Sequence, residues 1–340
     1  MNKNMNQDTK QKTRLRKFIR QPDRHAGRYG EFQLTSRDLD VLELAFRYRH
    51  VTADHVRALT PGSNQQLGRR LAGLFHHGYV ARYAPLDRMR FELNAGSPVM
   101  AYGLDTKGWR TLQQHGRVSE ENVEDGSEPQ TWRKEYTRRM GQFLQHHLAI
   151  SDFHTCLELA CRQTSELELG EWRQDADVQG KCTWTVTGGK KETFRVAPDA
   201  YAKVWEAGVS RNLFLELDRG TEESKRIFEK LERYAWYLNH PNYEKQYGDQ
   251  PKAIRVLVVT TTEKRMNGMM EVLGKLAAGL DWRGQRYRDV PEFSPGRFWF
   301  TTADRYRLEE PEQVLGPIWA TIKHREERLP LFDRGKAQEL

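Results

Sequence analysis

The stretch IRVLVVTTT, Ile254 to Thr262, constrains the fold most. It is nearly continuous in apolar, β-branched residues, the pattern of a strand buried on both faces. A strand of that kind belongs inside a sheet flanked by helices. Further strand-like runs supply its neighbours: ELELGEW (Glu166 to Trp172), CTWTVT (Cys182 to Thr187), Ala200 to Trp205, Leu213 to Asp218 and RFWFTT (Arg297 to Thr302). Between them lie helical patterns. One runs from Tyr136 to Cys161, and one starts at a Thr221 cap with Glu222 and Glu223 in its first turn. Others cover Met266 to Leu280 and Glu312 to Lys323, the last containing Trp319. The expectation is a mixed α/β sheet domain over residues 131–332.

Ala200–Trp205 and Leu213–Asp218 read as a hairpin turning at Gly208. Leu213, Leu215 and Leu217 alternate with Phe214, Glu216 and Asp218, so Glu216 and Asp218 share one face. If Ala207-Gly208 is the two-residue turn, Asp199 stands opposite Glu216. If the loop takes two more residues on its C-terminal side, Asp199 faces Asp218. Either register brings carboxylates together, about 4.8 Å apart across neighbouring strands. A divalent cation suits such a cluster, which would otherwise repel itself.

Ahead of this domain, residues 31–115 read as helices followed by extended runs. Ser36 is placed as the cap of a first helix to Arg49, Thr52 as the cap of a short second, and Ser63 as the cap of a third ending before Gly78. Tyr79 to Tyr83, Arg88 to Leu93 and Val99 to Leu104 follow as extended segments. Three helices and an antiparallel hairpin describe a winged helix, a variant of the helix-turn-helix. Asn64, Gln65, Gln66, Arg69 and Arg70 lie off the apolar stripe of the third helix, where they suit base edges and phosphates. Arg82, Arg88 and Arg90 on the wing suit phosphates or a minor groove.

The formal net charge of +8 favours a polyanionic partner, and Lys10, Lys12, Arg14, Arg16, Lys17 and Arg20 crowd one basic arm. Residues 1–30 are expected to be disordered until bound, 116–130 to form an acidic linker and 333–340 a polar tail. Cys156, Cys161 and Cys182 have no spacing for a disulfide framework or a zinc site, which suits a reducing cytoplasm. No apolar run reaches the roughly 20 residues of a membrane helix. His147 and His154 fall on one helical face, but without a third ligand in register they read as packing residues.

The order helix, strand, "PD" at the head of a hairpin strand, "LELD" at its end, then a helix, is similar to the PD-(D/E)-x-K nuclease superfamily. Pro198-Asp199 matches its first element and Glu216 its second acid. The resemblance implies a restriction-endonuclease-like domain with Mg²⁺ held by Asp199, Glu216 and Asp218. In that superfamily a lysine two residues after the second acid orients the attacking water, and here Asp218 occupies that position. Members that move the lysine to the following helix nominate Lys225 first and Lys230 second. The chain as a whole, from Ser36 to Trp319, resembles the replication-relaxation family of bacterial plasmids and other mobile elements. The residues that carry this are AYGLDTKG (Ala101 to Gly108), QHHLAISDF (Gln145 to Phe153), PDAY (Pro198 to Tyr201), FLELDRGTE (Phe214 to Glu222), IRVLVVTTT and FWFTT (Phe298 to Thr302).

These features lead first to a mobile-element protein that binds double-stranded DNA, its nuclease-like domain serving DNA contact or assembly. A homodimer and replication or mobilisation proteins stand as further partners, and no membrane is expected. The alternatives are a Mg²⁺-dependent endonuclease or nickase, with Asp199, Glu216, Asp218 and Lys225 as its catalytic set, and a transcriptional regulator of transfer genes.

Overall fold

Residues 31–83, 100–118, 130–185, 189–248, 254–287 and 293–332 are described in the computed structural model. Their contacts separate two units, one ending at Thr155 and the other starting at Cys156.

In the first unit, helix α1 (Ser36–Arg47) is capped by Thr35, one residue before the expected Ser36. The Thr35 hydroxyl accepts from the Asp38 N–H, and the Asp38 carboxylate accepts the Thr35 N–H at 2.7 Å. This reciprocal arrangement satisfies donors that the first helical turn otherwise leaves open. Strand β1 (Val51–Thr52) leads into α2 (Ala53–Leu59), which Thr52 caps as expected, with His55 closing the capping box. Helix α3 (Asn64–His76) starts after Ser63, whose side chain makes no capping bond, and ends near Gly78 at φ 76°. Strands β2 (Val80–Tyr83) and β3 (Ala101–Leu104) pair antiparallel, and β1 pairs with β3, giving the order β1-β3-β2. Helix α4 (Thr106–Gln114) follows, capped by Asp105. Val41, Leu42, Val56, Leu67, Leu71, Leu74 and Leu112 form the buried interior. The strand expected at Arg88 to Leu93 lies outside the described residues.

Helix α5 (Gln130–Arg162) is longer than the expected Tyr136 to Cys161. The division between units falls inside it rather than in the acidic stretch at 116–130. One turn of the helix explains why. The Ser151 hydroxyl reaches the carbonyl of His50 at 2.7 Å, Asp152 meets His55 at 2.6 Å, and His154 stacks on Tyr48 with ring centroids 4.0 Å apart.

The second unit is built on a five-stranded mixed sheet. Its strands are β4 (Leu167–Gln174), β7 (Ala200–Glu206), β8 (Val209–Leu217), β9 (Ile254–Thr260) and β10 (Phe298–Thr302). The order is β10-β9-β8-β7-β4, with β8, β9 and β10 parallel and β7 antiparallel to both its neighbours. Val256 to Val259 are buried without alternation, as their composition requires. A two-stranded ribbon, β5 (Gly180–Thr185) with β6 (Lys191–Val196), stands apart from this sheet. Helices α6 (Ser224–Tyr237), α7 (Pro241–Tyr247) and α8 (Glu263–Ala277) complete the unit. An aromatic interior of Tyr201, Phe214, Phe228, Tyr234, Tyr243 and Tyr247 lies between the sheet and its helices.

Two expectations fail here. Thr221 does not cap α6; the helix begins at Ser224, because Arg265 holds the Glu222 carbonyl at 2.7 Å and keeps that segment extended. Glu312 to Lys323 is not a helix. A short 3-10 turn (Pro311–Leu315) stops at Gly316-Pro317, and Ala320 exchanges two 2.8 Å backbone bonds with Phe300. Pro317 has no N–H to continue a helix, and Ala320 is committed to the edge of the sheet. No helix among the described residues is long and apolar enough to cross a membrane.

Candidate functional site

Ala207 and Gly208 both take positive φ, 47° and 83°, so the β7–β8 turn is the tight two-residue form. Pairing runs from Glu206↔Val209 to Ala200↔Leu215. This is the first of the two registers considered, and it places Asp199 across from Glu216. Asp199 donates its N–H to the Leu215 carbonyl at 3.0 Å, and its carboxylate accepts the Leu217 N–H at 2.7 Å.

Glu216 points from β8 toward α6 and is buried, with 3% exposure. Two residues one helical turn apart meet it. The Tyr234 hydroxyl donates to Oε1 at 2.6 Å, and the Lys230 ammonium lies 2.7 Å from Oε2. Lys230 is also 3.7 Å from Glu222. Burial pushes the Glu216 carboxyl above its ordinary range; the charge of Lys230 opposes this and that of Asp199 adds to it. Burial also opposes the charge on Lys230, but Glu216, Asp199 and Glu222 outweigh it and hold the ammonium well above its usual value. Tyr234 is held neutral by burial and by the adjacent carboxylate, so it remains a hydrogen-bond donor.

Asp218 departs from the expected cluster. It sits one residue beyond the end of β8, where its N–H donates to the Val259 carbonyl at 2.8 Å. Its carboxylate is bracketed by the Arg265 guanidinium, with Nη2 to Oδ1 at 2.7 Å and Nε to Oδ2, and by the Thr260 hydroxyl at 2.6 Å. Burial raises this carboxyl, but the bonds from Arg265 and Thr260 outweigh it and hold the group below the usual carboxylate range. Asp218 therefore ties β8 to β9 and α8 rather than joining Asp199 and Glu216. Sharing a face by strand period did not suffice, because each carboxylate is claimed by a different helix.

The lysine assignment also changes. Lys225 lies 3.9 Å from Glu229 and 5.5 Å from the Trp282 ring centroid. Lys230, the second choice by sequence, is the lysine beside Glu216. Tyr234, which also meets Glu216, is not among the sequence candidates, yet the spacing of four residues from Lys230 puts both on one helical face, a signal present in the sequence. Arg265 carried no comparable signal.

Among the described residues, no group of three or more His, Cys, Asp or Glu side chains is arranged to hold a metal ion. The donor set nonetheless fits Mg²⁺, which keeps several waters and commonly binds through one or two carboxylates plus substrate phosphate oxygens. Asp199 and Glu216 are such a pair of hard oxygen donors. The histidines of the first unit pack instead. His154 stacks on Tyr48, and His147 lies 5.7 Å from His50 by ring centroids.

On α3, Asn64, Gln65, Gln66 and Arg69 are exposed. Arg70 is not available in the same way. Its guanidinium grips buried Asp38, bonds the Gln33 carbonyl at 2.9 Å and covers the Phe32 ring at 4.1 Å. Arg82 covers the Phe75 ring at 4.2 Å, so it braces β2 against α3. Arg88 and Arg90 lie outside the described residues.

A model of one protein family, described as replication-relaxation, matches residues 42–252. No curated protein and no solved structure matches the chain.

Proposed function

The chain belongs to the replication-relaxation family, and from that premise we propose that it is a Mg²⁺-dependent nuclease that nicks or cuts the DNA of a mobile element. The first unit acts as a winged helix that selects the site, and Asp199, Glu216 and Lys230 form the centre that hydrolyses the phosphodiester. The observation that carries this reading is Lys230, 2.7 Å from Glu216. It supplies from the helix the lysine that Asp218 denies the strand.

Asp199 and Glu216 would hold the ion, which supplies Lewis-acid charge and an acidified water. Lys230 stays protonated at neutral pH, so its role is to orient water or pair with phosphate rather than to accept a proton. Tyr234 keeps one oxygen of Glu216 occupied and the carboxylate in one rotamer. The winged-helix reading draws support from the helices α1 to α3, the β1-β3-β2 order and the exposed row Asn64, Gln65, Gln66 and Arg69. Those side chains suit base edges in a major groove.

A second reading keeps the second unit for DNA contact or assembly without cutting. The depth of Glu216 and the loss of Asp218 to Arg265 favour it. Supercoiled plasmid incubated with the full chain and Mg²⁺ or Mn²⁺ separates the two. Nicked or linear product that disappears in Asp199→Ala, Glu216→Ala and Lys230→Ala supports hydrolysis at this centre. Supercoils that persist at every metal concentration support the binding-only reading, and cutting that survives all three changes removes the site assignment.

A further inference from the structure

The ribbon β5–β6 was only half visible in the sequence, since Lys191–Val196 follows β5 closely and did not stand out as a strand. Its pairing separates two faces. Cys182, Phe194 and Val196 point inward and are buried, with Phe194 stacked on Trp236 at 4.9 Å between ring centroids. The Trp184 indole N–H donates to the Trp236 carbonyl at 3.0 Å. The ribbon is thereby fastened to α6, the helix that carries Lys230 and Tyr234.

The outer face has a different composition. Lys181, Thr183 and Thr185 on β5 alternate outward, and Lys191, Thr193 and Arg195 do so on β6; all six are exposed. Lys181 pairs directly with Arg195, Thr183 with Thr193 and Thr185 with Lys191. The two central hydroxyls lie 3.0 Å apart. Every outward position is therefore a cation or a hydroxyl. Among the described residues, the Lys181, Lys191 and Arg195 side chains have no ion-pair partner. Like charges directly opposite across a β-ladder destabilise it. Folding gains nothing from setting Lys181 against Arg195, so the arrangement fits a polyanion bound over both.

We propose that this outer face is a second DNA contact, a rail for the phosphate backbone that feeds the Asp199–Glu216–Lys230 centre. The inference rests on DNA being the substrate, as argued above, and adds where the duplex is held. Backbone contacts in protein–DNA complexes are made mainly by Lys, Arg and hydroxyl side chains, the composition found here. A protein partner would instead be expected to need an aromatic or aliphatic anchor on the face, and none is present. From Lys191 to Arg195 the strand advances about 14 Å at 3.4 Å per residue. That distance matches the rise of about four base pairs, enough for two or three phosphates. Only Val196, Ala197 and Pro198 separate Arg195 from Asp199, so the rail ends within about 14 Å of the centre along the chain.

The test uses the full chain and a random-sequence duplex of about 40 base pairs, titrated at several salt concentrations. The triple variant Lys181→Ala/Lys191→Ala/Arg195→Ala is compared with Lys181→Arg/Lys191→Arg and with wild type, all matched for thermal unfolding. The triple variant is expected to bind about tenfold or more weakly near 0.15 M salt, with a plot of log K against log salt shallower by about two to three units. The arginine variant is expected to bind as wild type does. Wild-type binding with an unchanged affinity and slope in the triple variant overturns the rail and leaves the nuclease reading standing. No duplex binding by wild type overturns both. Polyglutamate of equal charge competing as well as the duplex would overturn DNA as the ligand of this face.

Discussion

Lys230→Met tests the electrostatics of the candidate centre without reference to activity. The substitution keeps a long apolar stem and removes the ammonium 2.7 Å from Glu216. Breaking a fully buried ion pair costs about 3–5 kcal/mol, because the remaining charge is left uncompensated. Lys230 is about one-third exposed, which lets solvent share the screening, and a discounted loss of about 1–3 kcal/mol is expected near pH 7. The loss must depend on pH. Glu216 is already raised above its ordinary value by burial, and without Lys230 it rises further. A carboxyl raised in the folded state holds its proton after the unfolded chain has released one. Stability of the variant therefore falls as pH rises from about 4.5 toward the new value, by at most about 1.4 kcal/mol per pH unit. Urea unfolding of wild type and variant between about pH 4.5 and 8 measures this. The deficit should be smallest at the acidic end and largest near neutrality. Adding Glu216→Gln should abolish most of that pH dependence. A deficit independent of pH, or one unchanged by Glu216→Gln, would show that Lys230 acts through packing alone and not through the charge of Glu216.

Two further outcomes concern the first unit. Arg70→Ala should cost about 1–3 kcal/mol, because it strips the guanidinium from Asp38, which is only 1% exposed and part of the α1 cap. Asp38 is held below its ordinary value, so the stability it contributes is present above about pH 4 and is lost as pH falls through the lowered value. A large loss of DNA affinity with an unchanged melting temperature would return Arg70 to the recognition surface. His50 and His154 should make the unit acid-labile. Burial lowers His50 to about 3 and His154 well below its normal value, so the unfolded chain takes up protons first as pH drops below 6.5. His50 then contributes about 2 kcal/mol of lost stability by pH 5, and His154 adds to the loss in the same direction. Melting temperature measured across that range should fall, and a His154→Phe variant should fall less steeply; equal slopes would refute the assignment.

Some of this was determined by sequence alone. The apolar run Ile254 to Thr262 fixed an interior strand, because no other position satisfies a strand without a polar face. The odd parity of the hairpin was enough to bring Asp199 to the face of Glu216 and Asp218, but only the observed pairing, Glu206↔Val209 to Ala200↔Leu215, set it opposite Glu216. Local capping was legible to within one or two residues, as Thr35 against Ser36 and Glu223 against Thr221 illustrate. Tertiary structure decided where the charges go. Glu216 and Asp218 have the same strand phase, but the first is met by Lys230 and Tyr234 from α6 and the second by Arg265 from α8. Likewise Arg69 and Arg70 are adjacent in sequence, and Asp38, the Gln33 carbonyl and the Phe32 ring separate an exposed cation from one fixed inside a cap. A long basic side chain reaches many places from one backbone position, and the partner it finds depends on elements distant in sequence. Period and register are local properties of the chain, whereas the pairing of its charges is a property of the assembled fold.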